Sequence, residues 1–410
     1  MKARGKGAAL TLQQKENKEK SIPKLVRITT VPLSLQTLIS GQMNFMSRNG
    51  FNVYMISSDF KEKEALIEKE QSDYLPVEMT RKISPFADLV ALYRLVKIFR
   101  KLKPAIVHSH TPKAGLLGML AGKLTGVPVR LHTVAGLPLL ERTGAKRALL
   151  VAVEKVVYHC ATKVYPNSLK LRAMMIQANY CKAEKLKVIG RGTSNGICTA
   201  TFKRTPEVLA KANELQARLQ LSSQNFTFIF VGRLVRDKGV EELVEAFKNL
   251  QRKYPEARLI LLGHEEADLD PLSAATLKEM HENPAILLTG FQADVRPYFA
   301  ISQVLVLPSY REGFPNVPMQ AGCFNLPCIV TDINGCNEII FEGENGLLIP
   351  VKDSGALEIA MEQLLNDKKL YQQLSCKARA LIIERFEQAQ VWELILAEYR
   401  EHLKQKGLVS

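Results

Sequence analysis

A strand–helix alternation that runs its course and then starts again is what most limits how this 410-residue chain can fold. Short apolar, β-branched segments recur at Leu25–Thr30, Phe51–Ser57, Ala105–His108, Pro128–Thr133 and Lys163–Pro166. Helical periodicity fills the gaps. It is strongest over Pro85–Lys103, where Leu89, Leu92, Leu95, Val96, Phe99 and Leu102 share a stripe that predicts a sheet-packing face. Further helices are predicted over Ala114–Leu124, Lys146–Cys160 and Ser168–Ala178, and residues 61–72 read as a charged surface helix or loop. After the polar stretch Gly190–Thr205 the pattern restarts. Strands are predicted at Phe226–Val231, Ala257–Leu262, Ala285–Leu288, Val304–Leu307, Cys328–Thr331 and Leu347–Ile349, and the remainder is helical. Strands this short and this apolar suit a parallel sheet covered on both faces by its crossover helices. The expected fold class is α/β, with two doubly wound domains facing each other across a cleft. Ligands are then expected outside the carboxyl ends of the strands.

Charge separates the two halves. The first 210 residues hold 35 lysines and arginines against 14 aspartates and glutamates; the remaining 200 hold 21 against 27. The basic half calls for an anionic partner: nucleic acid, membrane lipid or a phosphorylated substrate. No helix-turn-helix, zinc finger or aromatic-rich RNA motif accompanies it, so nucleic acid is not expected. No apolar run reaches the 18 or so residues of a spanning helix. Residues 1–23 read as a disordered basic tail. The seven cysteines, an odd number with no C-x-x-C spacing, are expected as free thiols in a cytoplasmic protein.

Two stretches carry chemistry. In Phe226-Thr-Phe-Ile-Phe-Val-Gly-Arg-Leu-Val-Arg-Asp-Lys-Gly239 a strand ends at Gly232 and Arg233 emerges at its tip. Asp237 is the expected N-cap of the next helix, with Lys238 in its first turn. Two cations beside a helix N-terminus suit a diphosphate; a solvated loop is the plainer alternative. In Val304–Gln320 a buried strand feeds the turn Glu312-Gly313-Phe314 and a short helix whose first turn accepts Pro318. Glu312 offers acceptors for vicinal sugar hydroxyls, and Gln320 lies about one turn into that helix. The plainer reading is a capping carboxylate and an exposed amide.

Taken together, these stretches resemble the retaining nucleotide-sugar glycosyltransferases of family 4, of the two-domain GT-B fold, including those of capsule and lipopolysaccharide biosynthesis. The resembling motifs are G-R-x-x-x-x-K-G at 232–239, E-G-F-P-N at 312–316, Ile333-Asn-Gly-Cys-Asn-Glu338 with Gly343-Glu-Asn-Gly346, Val107-His-Ser-His-Thr-Pro-Lys-Ala-Gly115 and His132-Thr-Val-Ala-Gly136. The resemblance implies two Rossmann-like domains, 24–200 on the acceptor and membrane side and 201–385 for the donor, with 386–410 packing back on the first. It implies that Gly232, Arg233 and Lys238 hold the donor diphosphate, and that Glu312, Gly313 and Phe314 meet the donor sugar. His132 would lie near the sugar's reacting face, and His108, His110 and Lys113 on the acceptor side. Glu338 is a further acidic candidate for the donor pocket. Gln320 stands where the family carries a second glutamate, which contacts the ribose; Gln keeps one acceptor and adds donors.

The activity implied by this resemblance is sugar transfer with retention. The donor is a nucleotide sugar, expected to be UDP-linked, and the acceptor a polyprenyl-diphosphate- or other lipid-linked glycan. A soluble or protein acceptor is the alternative, and a non-catalytic nucleic-acid-binding protein is the alternative from a different class. No cofactor and no metal are expected: His108 and His110 lack a third ligand nearby, and Asp268-Leu-Asp270 reads as part of a solvated acidic insertion. The place of work is expected to be the cytoplasmic face of the plasma membrane, held peripherally at an anionic surface, with the basic outer face of the 85–103 helix as one means.

Overall fold

The computed structural model describes residues 22–80, 84–136, 143–266 and 270–408. The expected tail as far as residue 21, and Asp268, lie outside the described residues.

Each run of alternation closes its own six-stranded parallel sheet. The first contains β1 (Lys24–Ile28), β2 (Asn52–Ser57), β3 (Asp73–Pro76), β4 (Ile106–Ser109), β5 (Val129–Val134) and β6 (Lys163–Pro166), in the order β3-β2-β1-β4-β5-β6. The second contains β7 (Phe226–Val231), β8 (Ala257–Leu262), β9 (Ile286–Gly290), β10 (Val304–Leu307), β11 (Cys328–Thr331) and β12 (Gly346–Ile349), in the order β12-β11-β10-β7-β8-β9. Renumbered from its own first strand, the second order is the first one again. Both are the dinucleotide-fold order, whose direction of winding reverses between the first and fourth strands. The two reversal points are β1/β4 and β7/β10. These strands are buried along nearly their whole length, as apolar runs without alternation require.

The chain forms two compact units. One comprises the residues up to Tyr165, Met175–Lys187 and those from Trp392 onward; the other comprises Pro166–Met174 and Val188–Val391. The last helix, Gln388–Gln405, therefore contributes most of its length to the first unit. There the Trp392 ring lies 5.3 Å from that of Phe45. A Cβ on Gly41 would fall 2.6 Å from the Trp392 ring, so only glycine lets the indole seat there.

Two sequence expectations change. Asp73–Pro76 is an additional edge strand, pairing with β2. Leu89, assigned to the inner stripe of its helix, is exposed; the helix Pro85–Leu102 buries Ala91, Leu95 and Phe99 instead. No helix among the described residues is long and apolar enough to cross a membrane.

Candidate active site

The loop of the first motif comes directly after β7, and glycines let neighbouring backbones close around it. Gly232 donates its N–H to Leu262 O, and a Cβ on Gly263 would fall 1.7 Å from Gly232 O. Leu234 N–H then reaches His264 O at 2.8 Å, tying the loop to the segment after β8. Arg236–Lys238 forms a single 3-10 turn, and Gly239 (φ 69°) opens the helix Val240–Lys253. A Cβ on Gly239 would fall 2.1 Å from Pro308 O. The left-handed conformation and the close approach both demand glycine, and they press the helix start against the tip of β10.

That approach joins the two motifs. Lys238 Nζ lies 2.6 Å from Glu312 Oε1, and the two side chains are only 19% and 13% exposed. Ser309 Oγ donates to the same oxygen at 2.8 Å, and Thr331 Oγ1 at the end of β11 holds Ser309 O at 2.5 Å. Asn334 Nδ2 donates to Gly313 O at 3.2 Å, and Gly335 leaves no room for a side chain against that carbonyl. Phe314 packs edge-on against Phe386, 5.5 Å between centroids. Gln320 is half-buried on the helix Asn316–Cys323, which starts from this turn. Three strand tips, β7, β10 and β11, thus build one surface at the second sheet's reversal point.

Every cation of the loop has an acidic partner. Arg233 pairs with Glu266 at 2.8 Å, Arg236 with Glu241 at 3.3 Å, and Arg311 with Asp237 at 2.5 Å. This corrects two expectations. Asp237 is not the helix N-cap: Gly239 occupies that place, no side chain caps it, and Asp237 serves Arg311. The acidic segment is not simply solvated either. Asp270 accepts from Asp237 N at 2.6 Å through its carboxylate and from Arg236 N at 3.2 Å through its carbonyl. Glu338 has both oxygens engaged, accepting from Leu169 N (2.6 Å) and Lys170 N (3.0 Å) at the start of the helix Leu169–Gln177. To bind a donor it would have to release that helix end.

In the first unit the candidate residues lie at the β1/β4 reversal point and are buried. Arg27, on β1, is fully buried and bonds neutral acceptors: His110 Nε2 (3.1 Å), Tyr399 Oη (2.8 Å) and Gln42 Oε1 (2.6 Å). His108 Nδ1 meets Tyr399 Oη at 2.5 Å and its Nε2 meets Thr133 Oγ1 at 2.8 Å. Burial, followed by the charge of Arg27, holds His108 well below the usual histidine range; burial and then His108 do the same to His110. Neutral rings fix the direction of the chain. Arg27 donates to Tyr399, Tyr399 to His108, and His108 to Thr133. His110 accepts at Nε2, which puts its proton on Nδ1, a buried atom without a hydrogen-bond partner among the described residues. Sequence reasoning missed Arg27, Gln42 and Tyr399, because nothing local marks a strand arginine that meets a residue 372 positions away.

His132 is also buried. Its Nδ1 lies 2.8 Å from Ser109 Oγ, and burial lowers it to about 4. Gly115 makes room for the ring, since a Cβ there would fall 2.5 Å from His132 Cε1. Lys113 pairs with Asp88 at 2.7 Å, both side chains largely covered. Among the described residues no cluster of three His, Cys, Asp or Glu side chains is placed to hold a metal.

Known proteins match the chain along both sheets. Residues 211–381 match the glycosyl transferases group 1 family, and residues 46–192 the glycosyl transferase 4-like domain. A capsular polysaccharide biosynthesis glycosyltransferase of Staphylococcus aureus, CapM, is 32% identical over 93% of this chain and 98% of its own length. An Escherichia coli UDP-Gal:α-D-GlcNAc-diphosphoundecaprenol α-1,3-galactosyltransferase is 27% identical over 85% of this chain and 89% of its own. Among solved structures, Anabaena HepE in complex with UDP aligns with a TM-score of 0.74 at 18% identity, over 92% of this chain and 100% of that one. A Rickettsia africae glycosyltransferase aligns at 0.75 and 19%, over 93% and 99%; at such identities the likeness speaks for fold alone. With two Rossmann-order sheets and a relative above 30% identity along nearly its whole length, this chain belongs to the GT-B glycosyltransferases, in the group that carries the 4-like and group 1 domains.

Proposed function

We propose that the enzyme transfers a sugar, with retention at the anomeric carbon, from a nucleotide sugar to a polyprenyl-diphosphate-linked glycan in cell-surface polysaccharide synthesis. The observation that carries this reading is the Lys238–Glu312 pair at the β7/β10 reversal point. A cation and a carboxylate that satisfy one another are also the two groups a diphosphate sugar needs. The diphosphate takes the lysine, and two sugar hydroxyls take the carboxylate. The names of the Escherichia coli relative and of a Campylobacter jejuni N-acetylgalactosaminyltransferase, 26% identical, support a diphosphate-lipid acceptor. The UDP-Gal in the name of the Escherichia coli relative supports a UDP-linked donor.

In this scheme bond breaking at the anomeric carbon leaves charge on the departing diphosphate. Arg233 and Lys238, beside the uncapped start of the 240–253 helix, stabilise that charge as it grows. Glu312 positions the sugar through its hydroxyls, and Gln320 meets the ribose with an amide. The leaving phosphate takes the acceptor proton on the face it vacates, so the chain supplies no separate base. His132, neutral at physiological pH, offers an uncharged ring near the sugar. The enzyme works peripherally at the inner face of the plasma membrane and needs no metal. The test is incubation with radiolabelled nucleotide sugars and lipid-linked saccharide, with and without chelator. Transfer that survives the chelator is expected. A folded protein that transfers from no donor would refute the reading.

A further inference from the structure

The turn that carries Glu312 has its backbone fixed from three sides. Thr331 Oγ1 donates to Ser309 O at 2.5 Å, Tyr310 N–H reaches Asp237 O at 2.9 Å, and Asn334 Nδ2 donates to Gly313 O at 3.2 Å. What remains to be set is the Glu312 side chain, which is long and otherwise free to change rotamer. Two donors set it, and both choose the same oxygen. Lys238 Nζ lies 2.6 Å and Ser309 Oγ 2.8 Å from Oε1. Oε2 has no hydrogen-bond partner among the described residues. Ser309 and Thr331 are both fully buried.

The two donors are not equivalent. Lys238 ends in a flexible amine, and in the proposed mechanism the donor diphosphate takes it. Ser309 has no such freedom. Its short side chain stands on a main chain that Thr331 holds, and an ionised carboxylate only accepts, so the hydroxyl donates. We infer that Ser309, locked by Thr331, is the positioning residue of Glu312. It keeps Oε1 fastened when the diphosphate draws Lys238 away, and it keeps Oε2 turned toward the donor sugar. A carboxylate held by one oxygen leaves both lone pairs of the other for two neighbouring hydroxyls. Ser309 itself touches neither sugar nor phosphate. A bond that merely stiffens the turn is the plainer role, but Thr331, Asp237 and Asn334 already hold that backbone. The Ser309–Glu312 bond adds control of the side chain.

What Oε2 meets rests on the proposed donor site; the fastening of Oε1 does not, and the experiments separate the two. The first needs no donor. In ligand-free crystals of Lys238→Ala, the Glu312 carboxylate should keep its rotamer, with Oε1 still bonded to Ser309 Oγ. In the double variant Lys238→Ala, Ser309→Ala it should take another. A carboxylate that stays in place in the double variant, or that already leaves in Lys238→Ala, overturns the proposal. The second experiment compares the dissociation constant of UDP with that of the best bound of UDP-glucose, UDP-galactose and their N-acetylated forms. Ser309→Ala should weaken the nucleotide sugar about tenfold and leave UDP within about twofold of wild type. With Glu312→Ala already in place, Ser309→Ala should cost the nucleotide sugar nothing more, because the two residues act as one unit. Thr331→Val should weaken the nucleotide sugar in the same selective way, by less. Equal losses for UDP and nucleotide sugar, or additive losses in the Ser309→Ala, Glu312→Ala pair, overturn the proposal and leave Ser309 a structural residue. Wild type that binds no nucleotide sugar more tightly than UDP, with the crystals as expected, would uphold the fastening of Glu312 and refute the proposed function.

Discussion

The two sheets share a strand order and differ in what they do with polar groups at the reversal point. In the second unit the tip residues form ion pairs that stay partly open to solvent: Lys238 with Glu312, Arg233 with Glu266, Arg311 with Asp237. In the first unit the tip residues are sealed in. Arg27, His108 and His110 are buried, and Tyr399 closes over them from the last helix. An accessible pair can exchange its partner for a ligand at little cost. A buried network cannot, because any group left unpaired there loses water as well as its partner. The same fold thus leaves one switch point open for the proposed chemistry and uses the other to fasten the C-terminal helix to β1 and β4. His108 and His110 belong to that fastening, whatever lies on the acceptor side.

The sharpest way to break this comparison is to remove charge from each side. Lys238→Ala or Glu312→Ala should cut transfer by about 10²–10³-fold with little change in melting temperature. Arg27→Met should do the reverse. It strips partners from Gln42, Tyr399 and His110 at once, and should cost about 3 kcal/mol or more of stability, read by urea unfolding. If Arg27→Met melts normally while activity falls, the first switch point is chemical after all.

Acid tests the sealed side with no mutation. His108, His110 and His132 all have folded values below the ordinary 6.5, His132 at about 4. Between those limits the unfolded chain binds more protons than the folded one. The stability these neutral rings allow is therefore complete above about pH 6.5 and is lost as pH falls toward 4. Urea midpoints measured from pH 7.5 to 4.5 should fall along that window. They should fall less in the His108→Gln variant, which has one fewer ring to protonate. The smallest expected effect is that of Gln320→Glu, which puts a carboxylate at the proposed ribose-binding position. A change of a few-fold in donor KM, with kcat nearly unaltered, would place Gln320 in binding rather than in the chemical step.

How far the sequence could be read depends on the range of the interactions. Buried strands such as Phe226–Val231 announce themselves by local apolarity, so the doubled α/β pattern was legible. Asp73–Pro76 was not: it is short, opens on an aspartate and ends on a proline, and owes its strand character to pairing with β2. Leu89 fits the helical period and lies on the outer face, because periodicity reports one apolar stripe and this helix has two. Asp237 is a good N-cap by type, yet the contact of Gly239 with Pro308 decides where the helix starts. At the site, Lys238 and Glu312 were legible as separate motifs. Their direct pairing, and the partnership of Arg27 with Tyr399, belong to the tertiary fold.

In the proposed mechanism the loop after β7 is a diphosphate site and Lys238 is its key cation. Thermal-shift titration of wild type and Lys238→Ala with UDP, GDP and ADP tests it most directly. A ligand at 100 times its dissociation constant stabilises the folded state by about 2.7 kcal/mol. One nucleotide, expected to be UDP, should raise the wild-type melting temperature by several degrees. The shift should fall by more than half in Lys238→Ala at the same concentration. Equal shifts in the two proteins, or none with any nucleotide, would contradict the account.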